Sequence, residues 1–103
     1  MIEFEWDTAK ARSNLAKHGV DFEVAIKVFD DPYALVEQDA SNVGAREERW
    51  RTVGLVNGML LLLVAHTLRE EGDVEVIRII SARRTDRTER LRYEQARRES
   101  SRY

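Results

Sequence analysis

The chain has 103 residues, a length typical of one domain, so we expect a single domain over residues 1–103. It contains no cysteine, which excludes disulfides, a thiol nucleophile and cysteine-based metal sites. The two histidines, His18 and His66, do not have metal-ligand spacing, so neither a metal site nor another cofactor is predicted. The acidic amino terminus is unlike a signal peptide, and the longest apolar run, residues 59–65, is far shorter than a membrane span. We therefore expect a cytoplasmic protein with no membrane contact.

The charges are unevenly distributed along the chain. Residues 83–103 hold eight arginines and four acidic residues, a net charge of +4, whereas the rest holds nine basic and fifteen acidic residues, a net charge of −6. Arginine outnumbers lysine 14 to 3, and arginine is the side chain best suited to bidentate phosphate contacts. The asymmetry indicates a polyanion or an acidic partner surface. The alternative is a solvent-exposed helix whose charges pair with one another.

The amino-terminal third predicts one strand and two helices. Residues 2–6 alternate between apolar and acidic side chains, which is typical of an edge strand. Asp7 can cap a helix over about residues 8–18. Asp21 can cap a second helix, which has an apolar stripe at helical spacing and should end before Pro32.

The remainder of the chain predicts four strands and a final helix. The strands are expected at residues 34–38, 46–56, 59–67 and 74–81, and the helix at residues 86–98. That helix has few apolar positions, so we expect it to be peripheral. The order β-α-α-β-β-β-β-α predicts an α+β fold with a mostly antiparallel sheet and the two amino-terminal helices on one face.

Asn57-Gly58 predicts a two-residue hairpin loop, which would fix the register of the flanking strands. In that register Arg49 lies opposite His66, and Arg51 lies opposite Val64. Because side chains alternate along a strand, one face would carry Glu47, Arg49, Arg51 and His66. The opposite face is apolar and is expected to pack against the amino-terminal helices; it would carry Trp50, Thr52, Leu61, Leu63 and Ala65.

Arg78 lies in the middle of the last predicted strand, among apolar residues. If Leu68 pairs with Val74, Arg78 lies opposite Val64 and joins the face that carries the other arginines. A loop shorter by one residue would move it to the opposite face. The alternative to a role in a site is a salt bridge to Glu47 or Glu75.

Arginines, a histidine and a glutamate on one open sheet face could transfer a phosphodiester in RNA without a metal. A base would remove the 2′-hydroxyl proton, guanidinium groups would stabilise charge on the phosphate, and an acid would protonate the leaving oxygen. His66 suits either proton role, since imidazole has an unperturbed pKa of about 6.5. The alternatives are a partly buried sheet histidine at position 66 and, at His18, a residue favoured by the helix dipole.

Three groups of residues over about residues 3–95 form a pattern that resembles the BrnT family of toxins. The opening group is Trp6-Asp7-x-x-Lys10-Ala11-x-x-Asn14-x-x-Lys17-His18-Gly19-Val20-x-Phe22-Glu23-x-Ala25. The middle group is Glu47-Glu48-Arg49 with Gly54 and Thr67-x-Arg69. The last group is Ile77-Arg78-Ile79-Ile80-Ser81-Ala82-Arg83-Arg84 with Glu89 and Tyr93.

The resemblance implies a RelE-like fold, metal-independent cleavage of messenger RNA and growth arrest. It also implies a BrnA-type antitoxin partner that has a ribbon-helix-helix DNA-binding part. The complex of the two proteins would bind operator DNA through the antitoxin and repress its own operon.

The family's polar positions map onto Lys17, Glu48, Arg49, Thr67, Arg69, Arg78, Arg83 and Arg84. Among these, Arg49, Arg78 and Arg83 are the predicted phosphate and transition-state groups, and Arg69 is a further predicted catalytic residue. The proton-transfer roles are left open between Lys17, Glu48 and His66, with Glu47 as the geometric alternative. The predicted RNA-binding residues are Arg51, Thr67 and Arg84, and no residue is predicted to bind a metal.

Two other functions compete with the ribonuclease toxin. The first is a catalytically degenerate binding module that acts as a co-repressor through its antitoxin; the net charge of −2 favours it, because it weakens attraction to RNA. The second is a structural protein whose arginines form surface ion pairs.

Overall fold

A computed structural model describes residues 1–39 and 48–100 of the chain. Its elements are β1 (Ile2–Trp6), α1 (Thr8–His18), α2 (Phe22–Ala25) followed by a 3₁₀ segment (Ile26–Asp30), β2 (Leu35–Gln38), β3 (Arg49–Val56), β4 (Leu60–Glu71), β5 (Val74–Arg84) and α3 (Arg87–Ser100). The predicted α+β class and element order are confirmed. None of the helices in these two ranges is long and apolar enough to cross a membrane.

The five strands form one sheet in the order β1-β5-β4-β3-β2. β1 is an edge strand, as predicted, and it runs parallel to β5; the other neighbouring pairs are antiparallel. The parallel pair joins the first strand to the last, so β1 is held by a strand that lies about 70 residues away in sequence.

The amino-terminal helices begin at the predicted caps. The Asp7 carboxylate accepts a hydrogen bond from the Lys10 N–H at 3.1 Å, and the Asp21 carboxylate accepts one from the Glu23 N–H at 3.0 Å. The second helix tightens to a 3₁₀ segment after Ala25. This segment lies against β3 so closely that a Cβ on Gly54 would be 2.8 Å from the Cβ of Val28.

Apolar side chains are buried on both faces of the sheet. On the helical face, the face that carries α1 and α2, the core consists of Val20, Phe22, Ala25, Val28, Val56, Leu62, Val64, Ile77, Ile79 and Ala82. On the opposite face a smaller cluster forms around Val53, Leu63 and Tyr93. Tyr93 belongs to α3, and its ring is buried against β3 and β4. The helix therefore contributes to the core and is less peripheral than predicted.

The predicted register of the β3–β4 hairpin is wrong by one residue. Arg49 pairs with Thr67 and Trp50 pairs with His66, because the loop contains three residues, 57–59, and not two. Asn57 and Gly58 both have positive φ, 53° and 71°, which suits the tight turn. A shift of one residue reverses the face of every side chain on one strand relative to the other. His66 therefore shares the helical face with Thr52 and Val64, whereas Leu61, Leu63 and Ala65 lie on the opposite face.

The β4–β5 pairing also differs from the prediction. Glu71, and not Leu68, pairs with Val74, and a bulge occurs where Ala65 pairs with Ser81 but His66 pairs with Ile79. Arg78 consequently lies opposite Thr67 and not Val64. Since Thr67 also pairs with Arg49, the prediction that Arg78 and Arg49 share a face is confirmed, although the strand partner was wrong.

Candidate functional site

The open part of the sheet face opposite α1 and α2 carries five arginines and a threonine, which we call the arginine face: Arg49, Arg51, Thr67, Arg69, Arg78 and Arg83. One lateral row crosses four strands in the order Arg49, Thr67, Arg78 and Glu5. Residues paired across strands project from the same face. The next row on one side contains Arg51, and Arg83 lies one row beyond it, opposite Leu63; the next row on the other side contains Arg69. The strand register alone therefore places these side chains on one face.

Glu5 is a member of this face that the sequence interpretation missed. Its carboxylate accepts a hydrogen bond from Arg78 Nη1 at 2.8 Å and two from Arg69, at 2.8 and 3.0 Å. The hydrogen bonds from Arg69 and Arg78 lower the pKa of Glu5 from 4.5 to about 2. The salt bridge predicted for Arg78 as an alternative therefore exists, but with Glu5 and not with Glu75. The other proposed partner, Glu47, lies outside the described residues.

The alternation of β1 is the signal that could have found Glu5. Phe4 and Trp6 project toward the helices, where Phe4 contacts the Phe29 ring at 5.4 Å and Trp6 contacts the Phe22 ring at 5.9 Å between centroids. Glu5 must then project from the opposite face. To predict the contact with Arg78, one would also have needed to know that β1 pairs with β5.

Arg83 is held by an acid from α3. Its guanidinium forms a bidentate pair with Glu89, with two bonds of 2.8 Å. Glu89 also accepts from the Asp86 N–H, and Asp86 accepts from the Glu89 N–H, both at 2.8 Å, so the two residues form a capping box. The hydrogen bond with Arg83 holds the pKa of Glu89 below its usual value. The first turn of α3 thereby holds Glu89 in place, and Glu89 in turn holds the Arg83 guanidinium.

Arg49 and Arg51 differ from the other three arginines. Neither forms a salt bridge with any residue in the ranges 1–39 and 48–100. Arg49 is exposed at the start of β3, and Arg51 is half-buried. Arg51 nevertheless lies opposite Glu37 and helps to lower the pKa of Glu89 by its charge, so Arg49 is the arginine whose charge the carboxylates of the described residues leave most available.

Thr67 lies between Arg49 and Arg78 in the central row. It is only 4% exposed, and its hydroxyl has no hydrogen-bond partner among the described residues. Buried side-chain hydroxyls almost always have a partner. An oxygen-rich ligand on this row could supply one.

His66 is in the core and not on the arginine face. It is 1% exposed, its Nε2 lies 2.8 Å from the Thr52 hydroxyl, and its ring meets the Phe29 ring edge-on at 5.0 Å. Burial lowers its pKa from 6.5 to about 4, although the Thr67 carbonyl opposes the shift slightly. The placement of His66 beside Arg49 and Arg51 is therefore wrong, because the hairpin loop is one residue longer than predicted.

The other predicted site residues are not among the side chains that the strand register places on the arginine face. Glu48 is exposed immediately before β3, and Lys17 is exposed in the last turn of α1. α1 is attached to the free edge of β5 by Asn14, whose side chain binds the Ala82 carbonyl at 2.8 Å and the Ala82 N–H at 3.1 Å. Arg84 is exposed at the end of β5, and it follows Arg83 in a strand, so it projects from the other face.

Comparison with known proteins gives a consistent family. The sequence model described as "Ribonuclease toxin, BrnT, of type II toxin-antitoxin system" matches residues 6–89. The crystal structure of the Brucella abortus ribonuclease toxin BrnT is similar to this chain, with a TM-score of 0.63 and 25% sequence identity. That likeness covers 84% of this chain and 100% of the Brucella chain. No curated protein matches the sequence.

Proposed function

This chain belongs to the BrnT family of ribonuclease toxins of type II toxin–antitoxin systems, and we propose that it cleaves messenger RNA in the cytoplasm, on the arginine face and without a metal ion. Membership of a type II system implies an antitoxin partner. We propose that this partner is of the BrnA type, with a ribbon-helix-helix part through which the complex binds and represses its own operator.

The observation that carries the proposal is the central row of the arginine face. Arg49 and Arg78 flank Thr67, whose hydroxyl has no partner among the described residues; Arg51 lies in the next row and Arg83 in the row beyond it. Guanidinium groups can hold the non-bridging oxygens of a phosphodiester with paired N–H bonds, and they stabilise the charge that develops there during attack. The Thr67 hydroxyl would donate to the same phosphate.

The cleavage we propose is an internal transesterification. Glu48, next to Arg49, takes the proton of the ribose 2′-hydroxyl; the 2′-oxygen then bonds to phosphorus, and the bond from phosphorus to the 5′-oxygen breaks. Lys17 donates a proton to that leaving oxygen. Its support is that it is exposed in the last turn of α1, which Asn14 attaches to the backbone of Ala82 at the edge of β5. The products are a 2′,3′-cyclic phosphate and a 5′-hydroxyl end.

The test is incubation of the purified chain with RNA in excess EDTA, followed by analysis of the product ends. We expect cleavage to continue and to leave cyclic phosphate and 5′-hydroxyl ends. Arg49→Ala should reduce it, and Arg12→Ala, which removes an exposed arginine on α1, is the matched control. Loss of all cleavage with EDTA, restored by magnesium, would contradict the metal-independent mechanism.

A co-repressor without catalytic activity is the second candidate. The observation that favours it is that Arg69, Arg78 and Arg83 each already hold a carboxylate, in a chain of net charge −2. In that case the chain would neither cleave RNA nor arrest growth when its expression is induced. It would still increase the affinity of its antitoxin for the operator.

A further inference from the structure

We propose that Glu5 is a positioning residue: its carboxylate holds the Arg78 guanidinium in the orientation that binds the phosphate of RNA. The inference rests on the proposed cleavage of RNA and adds a residue to that site. Glu5 lies just outside residues 6–89, the part of the chain that matches the family.

Four charged side chains on the arginine face are joined in a continuous hydrogen-bond network. Arg69 donates from Nε to Glu71 at 2.8 Å and from its two Nη atoms to Glu5 at 3.0 and 2.8 Å. Glu5 Oε2 also accepts from Arg78 Nη1 at 2.8 Å. The network therefore runs from Glu71 through Arg69 and Glu5 to Arg78.

Arg69 and Arg78 have different roles in this hydrogen-bond network. All three nitrogen atoms of the Arg69 guanidinium donate to carboxylates, so Arg69 serves chiefly to fix Glu5. Arg78 donates to a carboxylate from Nη1 alone, so among the described residues its Nε and Nη2 groups are not committed to an acid. Those N–H groups can form a bidentate contact with a phosphate while Nη1 remains on Glu5.

The ion pair between Glu5 and Arg78 affects the orientation of the Arg78 side chain more than it affects the stability of the fold. Glu5 and Arg78 side chains are 34% and 39% exposed, and ion pairs in such positions contribute little to folding. The carboxylate is attached to a strand whose register with β5 places Glu5 beside Arg78. Glu5 has a pKa of about 2, so it remains charged throughout the pH range in which the protein would act. A fixed guanidinium avoids the cost of ordering a flexible side chain during the reaction.

The test compares Glu5→Gln with Glu3→Gln. Glu3 lies on the same strand and the same face, opposite Val76, and each substitution removes one negative charge. Any general gain in attraction for RNA is therefore equal in the two variants. We expect Glu5→Gln to lower kcat about 10- to 100-fold, as a small misplacement of a reacting group does, and Glu3→Gln to leave it unchanged. Glu5→Asp, which keeps the charge, should restore part of the loss. KM should change equally in the Gln variants.

A second measurement does not depend on cleavage. In ¹⁵N spectra of the arginine side chains, the Arg78 guanidinium should give separate Nη signals in the wild type and in Glu3→Gln, because rotation about its Nε–Cζ bond is restricted. In Glu5→Gln these signals should merge; Arg78→Leu identifies them by their absence. A thermal unfolding curve for each variant confirms that it is folded.

The outcomes separate the two proposals. Equal kcat in Glu5→Gln and Glu3→Gln, or unchanged Arg78 signals in Glu5→Gln, would overturn the positioning role. A wild-type chain that cleaves no RNA would overturn the proposed function instead. The ¹⁵N measurement still tests the role of Glu5 in that case, because it does not require cleavage: unchanged Arg78 signals in Glu5→Gln would overturn the role.

Discussion

Tyr93 donates a hydrogen bond of 2.5 Å to Asp31, which lies 62 residues earlier in the chain. The same carboxylate accepts from the N–H groups of Leu55 and Tyr33, at 2.8 and 2.9 Å. Burial opposes ionisation of Asp31, but these hydrogen bonds outweigh it and hold its pKa below the usual value. The contact fixes α3 over one part of the sheet and leaves the arginine face uncovered beside it.

We expect Tyr93→Phe to lower the free energy of unfolding by about 1.5–3 kcal/mol, the usual contribution of a hydrogen bond to a charged group. The Tyr93 ring remains in place, so the loss reports the hydroxyl alone. Urea unfolding at neutral pH measures it. Tyr33→Phe is the control, because that exposed ring contacts Arg97 through its face, at 4.9 Å from the centroid. Equal unfolding curves for Tyr93→Phe and the wild type would show that α3 is held by packing alone.

Local signals in the sequence predicted the local structure well. Asp7 and Asp21 cap the helices as expected, because a side-chain acceptor at a helix start satisfies an N–H group nearby in the chain. The last helix was expected from residue 86, and it begins there with a capping box between Asp86 and Glu89. In each case both partners lie within a few residues of each other.

The strand registers were not predictable from the same signals. Asn57-Gly58 indicated a hairpin correctly, but the loop includes Met59, and this single residue moved His66 from the arginine face to the core. The bulge between the pairs Ala65–Ser81 and His66–Ile79 shifts the register of β4 with β5, and no residue pattern in the sequence marked its position. The contact between Glu5 and Arg78 depends on the parallel pairing of β1 with β5, for which no adjacent residues carry a signal.

The buried imidazole of His66 should make stability depend on pH. Its pKa of about 4 in the folded state is below the 6.5 of an unperturbed histidine. As the pH falls, the unfolded chain therefore takes up a proton at a higher pH than the folded chain does. The contribution of His66 to stability is fully present above pH 6.5 and is lost as the pH falls toward 4. Between pH 7 and pH 5 we expect a loss of about 2 kcal/mol from this group. Urea unfolding at both pH values measures the loss.

Substitution of each histidine separates this effect from other titrations. His66→Gln should be less stable at pH 7 but should lack the loss of about 2 kcal/mol between pH 7 and pH 5. The control His18→Gln keeps His66, so it is expected to keep the full pH dependence. An identical pH dependence in His66→Gln and the wild type would mean that His66 is not the titrating group.

The antitoxin should cover the arginine face. Arg49 and Arg51 form no salt bridge within the described ranges of the chain, and uncovered guanidinium groups favour carboxylate partners. We expect the contacting segment of the antitoxin to be acidic and apolar, and its binding to abolish cleavage of RNA. Arg49→Glu should weaken the complex about tenfold or more, a change of ~1.4 kcal/mol or more, whereas Arg12→Glu should not. A complex that forms while cleavage continues would place the antitoxin elsewhere on the toxin.

Arg78→Leu is expected to separate function from stability. Arg78 lies between Ile77 and Ile79 in β5 and pairs with Glu5, which remains bound to Arg69 when Arg78 is removed. Since Glu5 is partly exposed and keeps one partner, the free energy of unfolding should change by less than about 1 kcal/mol. Cleavage of RNA should fall by about 10²- to 10³-fold, as when one preorganised transition-state donor is lost.

Both quantities should be measured on the same preparation of Arg78→Leu, by thermal unfolding and by the rate of RNA cleavage. Arg12→Leu is the matched control, because it also replaces an arginine by leucine but lies on exposed α1. If Glu5 instead depended on Arg78 as its essential partner, the leucine variant would lose about 3–5 kcal/mol, the cost of stranding a buried charge. A variant that unfolds much earlier and yet cleaves RNA at the wild-type rate while folded would remove Arg78 from the site and assign it to the fold.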